Sequence, residues 1–125
     1  MMNRSEPITP KTIKSSDGAI YGTHPVGSIP AGVSPYGCMD MAGNVWQWCA
    51  DWYGEDYYLT AHAKNPTGPV TGTKRVIRGG CWMGKKPVGF LTTYRCYSEP
   101  DLSIGDITMK DDDIGFRCVV KLPTP

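Results

Sequence analysis

The sequence predicts a loop-rich domain of short strands with little helix, and three observations carry that prediction. Fifteen glycines and eleven prolines among 125 residues leave few windows in which a helix can run, because glycine loosens helices and proline breaks them. Four tryptophans and seven tyrosines supply large burial area and argue against disorder. The run Asp40-Met41-Ala42-Gly43-Asn44-Val45-Trp46-Gln47-Trp48 reads as a tight, oxygen-rich turn that enters an aromatic strand. Carboxylate, amide and main-chain oxygens in such a turn suit a hard cation such as calcium. Side-chain caps would hold the same turn without a metal.

The elements follow in chain order. Residues 1–24 are polar and turn-rich, with Ser15-Ser16-Asp17-Gly18 as a turn. Val26–Ile29, bounded by Pro25 and Pro30, reads as an edge or extended segment. Pro30–Gly37 is a loop, and Met39–Gly43 has room for one helical turn. Val45–Tyr53 reads as a strand, with Trp46 and Trp48 on one face and Val45, Gln47 and Cys49 on the other. Gly54–Thr73 is a long loop, the kind that carries function or wraps a surface. Arg75-Val76-Ile77-Arg78 is a strand that ends at Gly79-Gly80. Gly84–Gly89 is a second loop, Leu91–Tyr97 a strand, and 100–113 polar loop. Ile114–Val120 is a last strand, rich in β-formers.

Length sets the expectation of one domain over residues 1–125. The formal charge of +1, with acids and bases mixed, predicts neither nucleic acid nor a membrane surface as partner. No segment approaches a membrane span. The start Met1-Met2-Asn3-Arg4-Ser5-Glu6-Pro7 has no apolar stretch of the secretory kind, so the expected compartment is cytoplasmic. Cys38, Cys49, Cys81, Cys96 and Cys118 form no CxxC pair, and buried reduced thiols are the expectation for most of them. His24 and His62 stand far apart in sequence. Arg78, Arg95 and Arg117 recur on three expected strands, and the favoured reading is ion pairs with Asp51, Glu55 or Asp113. The run Asp111-Asp112-Asp113 reads as a solvated loop.

Taken in order, several motifs resemble the formylglycine-generating enzyme, or sulfatase-modifying-factor, family. They are Pro25-Val26-Gly27-Ser28, Tyr36-Gly37, Asp40 to Cys49, Asp51-Trp52-Tyr53, Asn65-Pro66-Thr67-Gly68-Pro69, Arg75 to Trp82, Tyr94-Arg95-Cys96 and Ile114 to Cys118. The resemblance implies an α+β, C-type-lectin-like fold of short antiparallel strands. It covers the C-terminal half of the family's domain; a stretch of the type R-L-P-T-E-A-E-W-E-Y-A is not found here. The resulting expectation is that exposed apolar surface is covered by a homodimer or a partner subunit.

The resemblance also implies site residues. One structural calcium would take a side-chain oxygen of Asp40, the carbonyls of Gly43 and Val45, and Gln47, which stands where most relatives carry Glu. A second would take Asn3 and Asp17 side chains with Arg4 and Ala19 carbonyls. The family's oxidases hold copper(I) on two cysteines placed between the RGG-x-W and Y-R-C motifs. Here that interval, Met83 to Thr93, contains no cysteine, so copper is not expected. Cys81 occupies the place of an active-site serine, and Trp46 would line the same site. Cys96 and Cys118 match disulfide partners of secreted relatives, and reduced thiols are expected of them in the cytoplasm. The favoured function is a non-catalytic scaffold or binding module for a protein or peptide, with Tyr57, Tyr58, Trp82 and Phe90 as aromatic contacts. The alternative is an oxidase, or a subunit of one, that converts a sulfatase cysteine to formylglycine.

Overall fold

The computed structural model describes residues 13–14, 20–62, 64–84, 86–100, 103–104, 107–108 and 111–120. Eight short strands lie in the described residues: β1 (Ile13–Lys14), β2 (Ile20–Tyr21), β3 (Trp46–Trp52), β4 (Arg75–Arg78), β5 (Cys96–Ser98), β6 (Ser103–Ile104), β7 (Ile107–Thr108) and β8 (Ile114–Gly115). One helical turn, α1 (Tyr57–Thr60), and two 3-10 segments, Pro30–Gly32 and Pro87–Phe90, are the helical content. No helix among the described residues is long and apolar enough to cross a membrane. The expected fold class therefore holds, and loops link nearly everything.

The centre is a four-stranded sheet in the order β5-β4-β3-β8. β4 pairs antiparallel with both β3 and β5. β8 runs parallel to β3, with Trp46 opposite Ile114 and Gln47 opposite Gly115. That one parallel pair departs from the all-antiparallel expectation. It follows from the long crossing of chain between β3 and β8, which a hairpin cannot make. β1–β2 and β6–β7 are separate two-stranded ladders.

Arg75–Arg78 forms as the sequence predicts, and its burial shows why. Val76 and Ile77 point to opposite faces, yet they are 6% and 4% exposed. A central strand covered on both faces reads as contiguous apolar residues rather than as alternation. In β3 the pairing shifts between Trp48 and Trp52, so the two-residue face pattern holds only up to Trp48. The Arg75 guanidinium stacks on the Trp52 ring at 3.5 Å, and Tyr53 meets Tyr97 at 4.5 Å between ring centres. The tryptophans and tyrosines therefore build a half-buried aromatic layer along the sheet. Among the described residues only Val76, Ile77 and Cys81 form the buried apolar core, each still a few per cent exposed.

Several expected elements are corrected. Val26–Ile29 is a turn, closed by Ser28 N–H donating to Pro25 O at 3.2 Å. Met39–Gly43 is a bend and not a helical turn, because Asp40 (φ 56°) and Gly43 (φ 86°) are left-handed and a right-handed helix cannot pass through them. The expected strand Leu91–Tyr97 shrinks to its end: Tyr94 N–H bonds Leu91 O at 3.0 Å, which closes a turn where strand pairing was expected. Ile114–Val120 pairs only at its first two residues, opposite Trp46 and Gln47. Residues 100–113 contain the β6–β7 ladder, and the 54–73 loop contains α1. The turn at Ser15–Gly18 lies outside the described residues.

Candidate functional site

The bend at residues 39–45 and the turn at 79–82 are stitched to each other. Gly43 N–H donates to Gly79 O at 2.7 Å, and Trp82 N–H to Asn44 O at 2.8 Å. Trp46 N–H donates to Asp113 O at 2.7 Å, which brings the loop before β8 to the same place. Asn44 is left-handed (φ 64°), a conformation asparagine tolerates better than most residues. Its side chain accepts from His24 N–H at 3.0 Å and donates to His24 O at 3.1 Å. This two-way clasp went unread in the sequence. An asparagine between a turn glycine and a strand is the signal that points to it.

Asp40, Gly43, Val45 and Gln47, the first predicted calcium set, line one cavity together with Met39, Phe116 and Arg117. The structure thus brings those four residues together, and it also shows how their atoms are used. The Asp40 carboxylate accepts from Gly27 N–H at 2.7 Å. The Gln47 amide donates to Asp40 O. Arg117 reaches in from beyond β8: its Nε donates to Gln47 Oε1, and one Nη donates to Met39 O and Asp40 O at 2.9 Å each. One carboxylate and several neutral oxygens, gathered around a guanidinium, fit a monovalent organic cation better than a divalent ion. Among the described residues no group of three or more His, Cys, Asp or Glu side chains is placed to hold a metal. The second predicted set, Asn3, Arg4, Asp17 and Ala19, lies outside the described residues.

The expected ion pairs of the three arginines give way to carbonyl contacts. Arg78 donates to Thr92 O and Arg95 to Thr93 O, the latter at 3.3 Å, and Arg117 bonds as described above. Arg95 also sits over the Tyr58 ring at 4.5 Å. Loop carbonyls without strand partners are left needing donors, and a guanidinium supplies several at once.

Cys81 and Trp46 do meet. The Cys81 thiol is 5% exposed and lies among the side chains of Asp113 and Trp46. Burial first, then the neighbouring Asp113, push this thiol up to about 11. Cys49 is also raised, chiefly by burial and against the pull of Arg78. All five cysteines are free. The segment that would carry the oxidase cysteines is instead a 3-10 turn, Pro87–Phe90. Its Phe90 ring covers Gly80, where even a Cβ would lie 2.7 Å from the ring. Gly89 faces the Trp46 indole, 3.5 Å from where a Cβ would stand. Phe90, 37% exposed, lines one small cavity together with Cys81, Trp82 and Asn44.

This raised thiol predicts a measurable inertness. At neutral pH its thiolate fraction is about a hundredfold below that of an ordinary cysteine. Iodoacetamide should label the exposed Cys38 and Cys118 first, with Cys81 about a hundredfold slower, as read by peptide mass mapping. The folded pKa lies above the unfolded one, so the protonated thiol contributes stability at neutral pH. That contribution is lost as pH rises through the interval between an ordinary thiol and about 11.

A second cleft lies on the other side of β3. Asp51, Tyr53, Glu55, Tyr57, Tyr58 and Arg95 line it, with Trp52 and Val76 beneath. Tyr57 accepts from Gly68 N–H at 3.0 Å through its hydroxyl, and its ring meets Tyr58 edge-on at 5.4 Å. The two tyrosines expected as contacts therefore share a cleft, whereas Trp82 and Phe90 sit beside Cys81.

Comparison with known proteins decides the family. Residues 8–122 match the Sulfatase-modifying factor enzyme 1-like domain. The chain belongs to this family. It is 36% identical to the formylglycine-generating enzyme of Streptomyces coelicolor over 109 residues, which are 85% of this chain and 32% of that enzyme. It is 44% identical over 98 residues to a Chlamydia caviae protein named serine/threonine-protein kinase pkn1, covering 77% of this chain and 14% of that protein. Among solved structures, Treponema denticola variable protein 1 superposes with a TM-score of 0.53 at 31% identity, over 75% of this chain and 30% of that one. The chain thus spans a third or less of each of these relatives.

Proposed function

We propose that this chain is a non-catalytic binding module of the sulfatase-modifying-factor family. The observation that carries the reading is the interval from Met83 to Thr93, which has no cysteine and is packed by Phe90 and Gly89 against Gly80 and Trp46. Copper(I) is held by soft, deprotonated sulfur. Here the nearby sulfur is Cys81, buried and held protonated well above neutral pH. The framework motifs remain, and they present loops on a sheet, an arrangement suited to binding.

The cleft at Tyr57 and Tyr58 is the surface we assign to a peptide ligand. It offers two aromatic rings, one guanidinium and the carboxylates of Asp51 and Glu55, a set that takes apolar and charged side chains together. Val26, Tyr36, Phe116, Val119 and Val120 are between 76% and 93% exposed. Apolar exposure on this scale marks an interface, and a second copy of the chain is the occupant we assign to it.

The alternative, an oxidase or oxidase subunit, draws support from the meeting of Cys81 with Trp46. One preparation separates the two. The protein is incubated with copper, oxygen, a thiol reductant and a peptide bearing Cys-x-Pro-x-Arg, and the peptide is weighed by mass spectrometry. The binding-module reading expects no aldehyde above a Cys81→Ala control, and light scattering of the same sample should give twice the chain mass. Product that depends on Cys81 would replace the first reading with the second.

A further inference from the structure

We propose that the Arg117 guanidinium is the structural cation of the 39–47 bend, which holds its shape without calcium. The bend gathers oxygens in a way that calls for positive charge. Asp40 and Asn44 are left-handed, and Met39 O and Asp40 O both end at one Nη of Arg117, each at 2.9 Å. The same guanidinium donates from Nε to Gln47 Oε1. Gln47 then donates its own Nε2 to Asp40 O, so bend, strand β3 and the segment after β8 close into one ring of hydrogen bonds.

The parallel register explains how Arg117 arrives. Gln47 pairs with Gly115, and Arg117 follows two residues after it, just past the end of β8. Charge supports the assignment. The one carboxylate lining this cavity is Asp40 and the one basic side chain is Arg117, so the two cancel. Adding a divalent ion beside Arg117 would leave two positive charges without counterions among the residues that line this cavity. It would also need Gln47 Oε1 and Asp40 O to abandon the guanidinium. The forked, planar donor set of arginine matches three oxygens at once, which a lysine ammonium cannot reproduce in the same geometry.

The test uses the full chain with calcium, with chelator, and with terbium as a luminescent probe sensitised by Trp46 and Trp48. We expect no difference in parent Tm between calcium and chelator that Asp40→Ala removes, and no saturable terbium emission that Asp40→Ala removes. Arg117→Met should lower Tm by about 5–10 °C, and Arg117→Lys, which keeps the charge and loses the fork, should lower it by a smaller amount. If Arg117→Met does not fold, Arg117→Lys and the parent titration still decide. A calcium response that survives Asp40→Ala arises elsewhere and agrees with the proposal. A saturable calcium or terbium response abolished by Asp40→Ala would overturn it, as would an Arg117→Lys and an Arg117→Met protein melting like the parent.

Discussion

Replacing Ile77 by alanine should destabilise the protein by about 2–5 kcal/mol. Ile77 is 4% exposed and lies in β4, flanked by Trp48 of β3 and Cys96 of β5. The loss combines the transfer free energy of the removed methyl groups with that of the cavity left among its neighbours. For a small domain the whole stability is about 5–15 kcal/mol, so this one change removes a large share of it. Among the described residues the buried apolar side chains are only Val76, Ile77 and Cys81, and no second core among them is at hand to compensate. Urea unfolding followed by tryptophan fluorescence checks it, with Ile77→Val as comparison at about 0.5–1.5 kcal/mol. A loss below about 1 kcal/mol for Ile77→Ala would mean that the β4 centre is not where the fold is held.

Gly80→Ala is the second large effect, at about 2–4 kcal/mol. Two independent causes act there. Gly80 has φ +73°, a left-handed conformation that a side chain disfavours, and an added Cβ would lie 2.7 Å from two Phe90 ring atoms and 3.2 Å from Gly89 O. The two causes separate in a double-mutant cycle. In a Phe90→Ala background the ring clash disappears while the approach to Gly89 O remains, and Gly80→Ala should then cost about 1–2 kcal/mol, mostly from backbone conformation. Thermal melts of the four proteins measure this. Equal costs in both backgrounds would show that the Phe90 ring does not press on Gly80.

Much of the fold was legible because it follows from local chemistry. Val76-Ile77 between two arginines and before two glycines can be little else than a short buried strand that stops. The glycines and prolines left no room for a long helix. The 40–48 run announced a turn before a strand, and the structure keeps both. Misread segments failed for one shared reason. Leu91–Tyr97 and Ile114–Val120 have β-forming residues, but a strand exists only where the chain is held against a partner. Propensity alone does not reveal where β5 and β8 leave their partners.

The site divides in the same way. That the interval between Cys81 and Cys96 holds no cysteine is a fact of sequence, and so is the gathering of Asp40, Gly43, Val45 and Gln47 into one bend. That the Phe90 ring lies over Gly80 had no signature in the chain, because it depends on a ring meeting a glycine ten residues earlier.

The sequence by itself determined the family, the strand-and-loop character of the chain and which chemical groups are present at the bend and beside Trp46. Tertiary structure alone decided how those groups are used. It chose Arg117 over the acidic partners expected for it, and it buried the Cys81 thiol beside Asp113 so that the proton stays on sulfur. The physical reason is that charge pairing and pKa depend on distances between residues up to 78 positions apart in the chain. Such distances are set by strand register and packing, and not by the identity of any neighbour in sequence.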